Sequence, residues 1–177
     1  RLTGADPVLD VEMTSTGEVA CFGADLEEAF LKAELSVGGK IPKKGIFLTL
    51  GGDENKIKFL DALGYIQKLN IPIYATEKTS NFLIQNGVSA RRLYKIHEKK
   101  SPNILEYFQK GVIDLAININ DIYMKKHIND DYSMRRSAID HNIPLFTNLK
   151  KAELFIKAIA NKKIDDLPIK SWDEYTA

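Results

Sequence analysis

Ile71-Pro72-Ile73-Tyr74-Ala75-Thr76-Glu77-Lys78-Thr79-Ser80 passes from a short apolar run into a cluster of hydroxyls and charge. Its first half, Ile71 to Ala75, has the composition of a buried strand. Thr76 to Ser80 reads as a hydroxyl-rich turn, and Asn81 to Asn86 as an amphipathic helical run. A strand that ends at the amino terminus of a helix is a ready anion site. The first helical N–H groups have no partner within the helix, and the dipole favours negative charge there. Thr76 and Thr79 would add hydroxyl donors, and Lys78 a charge. The same residues have a second use, since Thr79 or Ser80 can cap the helix. This segment alone leaves both uses open.

The pattern repeats on either side. Ile46 to Leu50 is a continuous apolar run of strand type, followed by a Gly51-Gly52-Asp53 turn. Ile57, Leu60, Leu63 and Ile66 then recur at helical spacing through Leu69. Val88 to Ile96 reads as a shorter, more polar strand. Ser101-Pro102 opens a helix that Gly111 stops. Val112 to Ile117 is a fourth strand with a polar exit, Asn118 to Asp121, and a charged loop over 122–130. A helix over 131–141 leads to the fifth strand, Ile143 to Phe146. The last helix carries Ala152, Phe155, Ile156 and Ile159 on one face. Strands alternating with helices over short loops predict an α/β fold: three layers, α/β/α, around a five-stranded parallel sheet.

Upstream, Val8 to Met13 and Val19 to Phe22 read as two short strands around a Ser15-Thr16-Gly17 turn. Asp25 is placed as an N-cap, and Leu26, Ala29, Phe30 and Ala33 form a helical apolar face that ends at Gly38-Gly39. Such a β-turn-β-helix piece buries too little to fold alone, so it is expected to pack on the sheet domain. Lys40 to Lys44 reads as a linker. The expected division is 1–43 for this piece and linker, 44–163 for the sheet domain, and 164–177 for a polar tail with Trp172 and Tyr175 as docking points.

With 177 residues, Lys+Arg 25 and Asp+Glu 24, the formal net charge is +1. No global field attracts nucleic acid, so any anion site must be local. The region 120–131 has no basic stripe with interleaved aromatics, which argues against a nucleic-acid partner. Cys21 is the single cysteine, so no internal disulfide forms, and a reducing, cytoplasmic setting is expected. No apolar run approaches the ~20 residues of a membrane span. His97, His127 and His141 lack metal-ligand spacing. No Walker loop follows Gly51-Gly52, and no Gly-x-Ser-x-Gly elbow exists. Arg135-Arg136 beside Asp130 and Asp131 reads as a surface ion-pair cluster, with a neighbouring domain or the strand-four loop as its other use.

In a parallel sheet all strand-exit loops share one rim. The exits offer Asp53, Asn55 and Lys56; then Thr76, Lys78 and Thr79; then Lys95 and His97; then Asn118, Asn120 and Asp121; and last Thr147 and Asn148. Threonines, lysines and amides on one rim suit a ligand with a phosphate and several hydroxyl or ring acceptors. Each lysine taken alone also reads as a solvated surface residue. Asp121 with His97 could serve as a carboxylate and acid pair, or as a turn cap and an exposed histidine.

Several pieces carry a resemblance. They are Glu12-Met13-Thr14-Ser15-Thr16-Gly17-Glu18-Val19, Ala75-Thr76-Glu77-Lys78-Thr79, Lys95-Ile96-His97-Glu98, Ile117-Asn118, Arg135-Arg136-Ser137-Ala138 and Thr147-Asn148. In order and near-spacing they resemble the carboxyl-terminal part of carbamoyl phosphate synthetase large chains. That part is the end of the second ATP-grasp unit followed by a methylglyoxal-synthase-like regulatory domain. The resemblance implies an allosteric effector site at Lys56, Thr76, Thr79, Lys95, Asn118, Asn120, Asp130 and, near a second effector, Thr147. It implies a phosphate at Lys56, Thr76, Thr79 and Lys95, and a base or sugar at Asn118 and Asn120. Asn120 stands where nucleotide binders of the family usually have Thr. Lys95 stands where the N-acetylglutamate type has Trp, so a UMP or IMP type of nucleotide is the effector expected. No catalytic residue and no cofactor are expected in this chain. ATP and Mg would belong to the parent ligase, whose ATP-grasp domains and glutaminase subunit would be its partners. The alternatives are an effector domain of the N-acetylglutamate type and a free-standing methylglyoxal-synthase-like lyase.

Overall fold

The computed structural model describes residues 19–120, 128–171 and 173–176. Five strands form one sheet: β1 (Ile46–Leu50), β2 (Ile73–Ala75), β3 (Arg91–Arg92), β4 (Leu115–Ile119) and β5 (Leu145–Phe146). Their order is β3-β2-β1-β4-β5, and every pairing is parallel. The helices are α1 (Leu26–Ser36), α2 (Asp53–Lys58), α3 (Leu60–Lys68), α4 (Glu77–Gln85), α5 (Ile104–Gln109), α6 (Ile128–Asp140), α7 (Leu149–Asn161) and α8 (Asp173–Thr176). Strand order reverses between β1 and β4, and such sheets open a crevice beyond the carboxyl ends at that place.

The two-residue period of a strand sends alternate side chains to opposite faces. Ile46, Leu48 and Leu50 join Leu115, Ile117 and Ile119 against Ile66 of α3, Leu83 of α4 and Phe155 and Ile156 of α7. Phe47, Tyr74 and Ala116 face the other way, onto Phe108 of α5 and Met134 and Ala138 of α6. Both faces are covered, so the strands read as unbroken apolar runs. The three-layer α/β/α architecture expected from the sequence is the one found.

The element boundaries depart from expectation in informative ways. The helix placed from Ile57 to Leu69 is two, α2 and α3, joined at the fully buried Phe59. β3 has only two residues, at the sheet edge. α5 starts at Ile104 with Asn103 accepting the N–H of Glu106, so Ser101-Pro102 precedes the helix rather than opening it. β4 begins three residues later than Val112 and runs through Asn118 and Ile119. The cause is Asp114, whose carboxylate accepts the backbone N–H groups of Lys43, Lys44 and Gly45 at 2.8, 3.0 and 3.1 Å. That bond set ties the linker to the foot of the sheet.

Residues 19–22 form no strand, which corrects the second half of the expected β-turn-β piece. Its other half, Val8 to Met13, lies outside the described residues, as do the Ser15-Thr16-Gly17 turn, Asp121 to His127 and Trp172. Asp25 does cap α1, accepting the N–H of Glu28 at 2.9 Å. The buried face of α1 is only partly the expected one: Phe30 packs against the core and Ala29 and Ala33 are half-buried. Leu31 and Glu28 are buried, while Leu26 is 69% exposed. Ion pairs explain the rotation: Glu27 meets Lys157 and Asp25 meets Lys162, both from α7 or its end, and Glu34 meets Lys151. The tail returns to the same corner, where the Tyr175 ring lies 5.3 Å from that of Phe22.

The pairing of α1 with α7 has a pH signature. The Lys162 ammonium and the Glu28 N–H hold the Asp25 carboxyl below its usual value. The Asn161 amide, then Lys157, do the same for Glu27. A depressed carboxyl pKa stabilises the folded contact above the unfolded value, and the gain is lost as pH falls through the folded one. Hydrogen exchange in α1 is therefore expected to accelerate below about pH 4. The same loosening should follow at high salt near neutral pH, because these pairs are exposed and screened.

Candidate effector site

Five separate segments meet beyond the carboxyl ends of β1 and β2. Thr49 of β1, Thr76 after β2, Lys95 and Ile96 after β3, Ile104 of α5, and Asp130, Asp131 and Met134 of α6 line one cleft. It is nearly closed, with a cavity volume of about 10 Å³, room for about one water. Thr49 is paired in register with Asn118 on β4.

On the β2 side, α4 begins at Glu77, four residues before the expected Asn81, so the hydroxyl cluster belongs to the helix. Thr76 is its N-cap residue, yet its side chain makes no capping bond. The Thr76 hydroxyl instead stands 3.3 Å from that of Thr49 and 3.4 Å from that of Thr79. Thr79 and Ser80 are not caps. Both are buried in the first turn of α4, and the Thr79 hydroxyl oxygen accepts the N–H of Leu50 at 3.0 Å. That bond closes the end of β1 onto α4. Thr79→Val is expected to lower stability by about 1–3 kcal/mol, because the buried Leu50 N–H loses its acceptor; urea denaturation measures it.

On the opposite wall, a short 3-10 turn (Ile96–Glu98) follows Lys95. Its Glu98 carboxylate accepts the Lys95 N–H at 2.7 Å and pairs with Arg92. The His97 ring makes a short contact with the Asp130 carboxylate, which ties this turn to α6. Among the described residues, the Lys95 ammonium forms no ion pair.

Of the residues expected at the site, Thr76, Lys95 and Asp130 line the cleft. Thr79 and Asn118 are buried and do not line it, and neither does Asn120, which is exposed. With its amide turned so that donors face acceptors, Asn120 reaches Asn118, Asp131 and Arg135. Lys56 does not line the cleft. Its ammonium pairs with Asp53 at 2.8 Å and pulls that carboxyl below its usual value. Thr147 follows β5, three strands from Thr76 in the sheet order, and is not part of the lining. His97 was paired in expectation with Asp121, which lies outside the described residues; the partner found is Asp130.

Arg135 corrects the surface-cluster expectation. Arg136 is exposed and pairs with Asp140, but Arg135 is 3% exposed. The sequence reading also passed over Thr49, Ile96, Ile104, Asp131 and Met134. Only Thr49 left a usable signal, as the one polar residue within the apolar run of β1. No group of His, Cys, Asp and Glu among the described residues could hold a metal ion. No described helix is long and apolar enough to cross a membrane.

Residues 58–147, just over half of the chain, match the family model described as MGS-like domain. The multifunctional protein pyr-3 of Neurospora crassa is 38% identical over 185 residues, which cover 100% of this chain and 10% of that protein. The multifunctional protein ura1 of Schizosaccharomyces pombe is 40% identical over 166 residues, 90% of this chain and 7% of that one. The mitochondrial carbamoyl-phosphate synthase (ammonia) of Homo sapiens is 38% identical over 182 residues, 100% of this chain and 12% of that one. The chain thus spans about a tenth of the length of the curated relatives it matches.

Proposed function

The chain belongs to the MGS-like domain family, and from that premise we propose that it is the allosteric domain of a carbamoyl phosphate synthetase chain, binding a phosphorylated nucleotide of the UMP or IMP type in the cleft. One observation carries the reading. Thr76, at the amino end of α4 where no side chain caps the helix, and Lys95, with no ion pair among the described residues, face one cleft from two different loops. Free first-turn N–H groups, a hydroxyl and an ammonium are what a phosphate needs. The α6 wall supports a nucleotide over N-acetylglutamate. A dicarboxylate has to set a second charge against Asp130 and Asp131, whereas a nucleotide can offer neutral sugar hydroxyls there.

The chain itself supplies no catalytic residue in this reading. The parent ligase would use ATP and Mg on its ATP-grasp domains and ammonia from a glutaminase subunit, in the cytoplasm. Effector in the cleft would bias contacts with the preceding ATP-grasp unit by way of residues 8–43, with a coupling free energy of about 1–3 kcal/mol. Calorimetric titration with UMP, IMP and N-acetylglutamate tests it. Heat with a nucleotide and none with N-acetylglutamate is the expected result; silence toward all three ends the effector reading.

A second reading, a lyase acting on a triose phosphate, is favoured by the Asp130 carboxylate beside Thr76 and Lys95. That carboxylate is engaged by the His97 ring. The expected outcome with dihydroxyacetone phosphate is no methylglyoxal.

A further inference from the structure

Two carboxylates stand beside the groups proposed to hold the phosphate. Glu77 follows Thr76 directly and is the first residue of α4. Glu98 lies three residues beyond Lys95, and its Oε2 accepts the Lys95 N–H at 2.7 Å. An anion site flanked by two acids works only if something holds their charge, because like charges at this range oppose the incoming phosphate. Glu77 carries a second hazard. A carboxylate in the first turn of a helix is drawn to the open N–H groups and to the positive end of the dipole. Those N–H groups are the ones a phosphate uses, and the Thr76 side chain makes no capping bond to them.

One cation meets both acids. The Arg92 Nη1 donates to the Glu77 Oε1 at 2.6 Å, and its Nη2 donates to the Glu98 Oε1 at 3.2 Å. Arg92 reaches both because β3 is the edge strand beside β2 and sets Arg92 opposite Ala75, the residue before Thr76. The guanidinium lies over the Tyr94 ring, 4.6 Å from its centroid. Tyr94 is itself fixed, its N–H donating to the Pro102 carbonyl at 2.9 Å. Stacking on a held ring aims the planar fork of the guanidinium. A lone exposed ion pair contributes little. Here one guanidinium joins two strand-exit segments, and each carries one of the groups, Thr76 or Lys95, that line the cleft. Arg92 does not line it.

We infer that Arg92 is a positioning residue for the phosphate site. It draws the Glu77 carboxylate away from the amino end of α4 and fixes the Lys95 segment through Glu98, leaving the first-turn N–H groups open to an anion. The inference rests on the nucleotide reading above and deepens it. Arg92 touches no ligand in this scheme and acts through the two carboxylates it restrains.

The test is calorimetric titration with UMP and IMP of the wild-type chain, Arg92→Ala, Glu77→Gln and the double variant. Arg92→Ala is expected to weaken binding about tenfold, because it releases like charge beside the phosphate. Glu77→Gln alone should not weaken binding. Added to Arg92→Ala, it should restore most of the lost affinity, since the released acid is gone; a merely structural role for Arg92 predicts no such rescue. Arg92→Lys, which keeps the charge but cannot span two carboxylates, should fall between wild type and Arg92→Ala, and it supplies a second readout should Arg92→Ala not fold. Wild-type affinity in Arg92→Ala, or a double variant as weak as Arg92→Ala, overturns this inference alone. Silence of the wild-type chain toward both nucleotides overturns the nucleotide reading and this inference with it.

Discussion

Lys95→Glu is expected to weaken UMP and IMP binding by about a hundredfold or more while leaving the fold in place. A charge-assisted hydrogen bond contributes about 1.5–3 kcal/mol, and each 1.4 kcal/mol is a factor of ten in affinity. Charge reversal adds repulsion, since the new carboxylate would share the cleft with Asp130 and Asp131. The fold should survive, because the Lys95 ammonium joins no ion pair among the described residues, and the residue is held by its backbone N–H and C=O, both bonded to Glu98. Lys95→Gln removes the charge without the repulsion and should fall between wild type and Lys95→Glu. Calorimetry reads the affinities, and thermal unfolding checks the fold. Unchanged affinity in Lys95→Glu would move the phosphate away from this wall.

The largest effect on stability is expected from Phe155→Ala. Phe155 is 2% exposed, and its ring stacks on that of Phe146 with centroids 4.7 Å apart. It joins α7 to the edge strand β5 within the core that also holds Leu31 of α1. Truncating a buried Phe costs about 3–5 kcal/mol, through lost transfer energy and the cavity left behind. That is a large part of the 5–15 kcal/mol typical of a whole domain. For a chain of this length it lowers the midpoint of thermal unfolding by roughly 6–20 °C. Because α7 carries α1, proteolysis of the 19–43 region should also speed up. A midpoint within a degree or two of wild type would mean that α7 does not depend on this ring.

The fold was legible because its signals are local. β1 was readable to the residue, since Ile46 to Leu50 is covered on both faces and bounded by glycines at 45 and 51. β3 was not, because an edge strand of two exposed arginines has no apolar pattern to read. At the site, Thr76 and Lys95 could be placed together on the one premise that the strands are parallel. The α6 side could not. Ile128–Asp140 brings Asp130, Asp131, Met134 and Arg135 to the rim through the packing of a whole helix. Lys56, by contrast, looked available in sequence and is held by Asp53 three residues away.

Residue order alone therefore determined the layers, the strand directions and which loop tips share an end of the sheet, because apolar periodicity and turn residues act over a few neighbours at a time. Only the tertiary structure decided which face of α1 is buried and that Arg135 lies inside beside Asn120. Those outcomes depend on ion pairs and side-chain contacts between segments far apart in the chain, where burial strengthens a charge or an amide's demand for one particular partner.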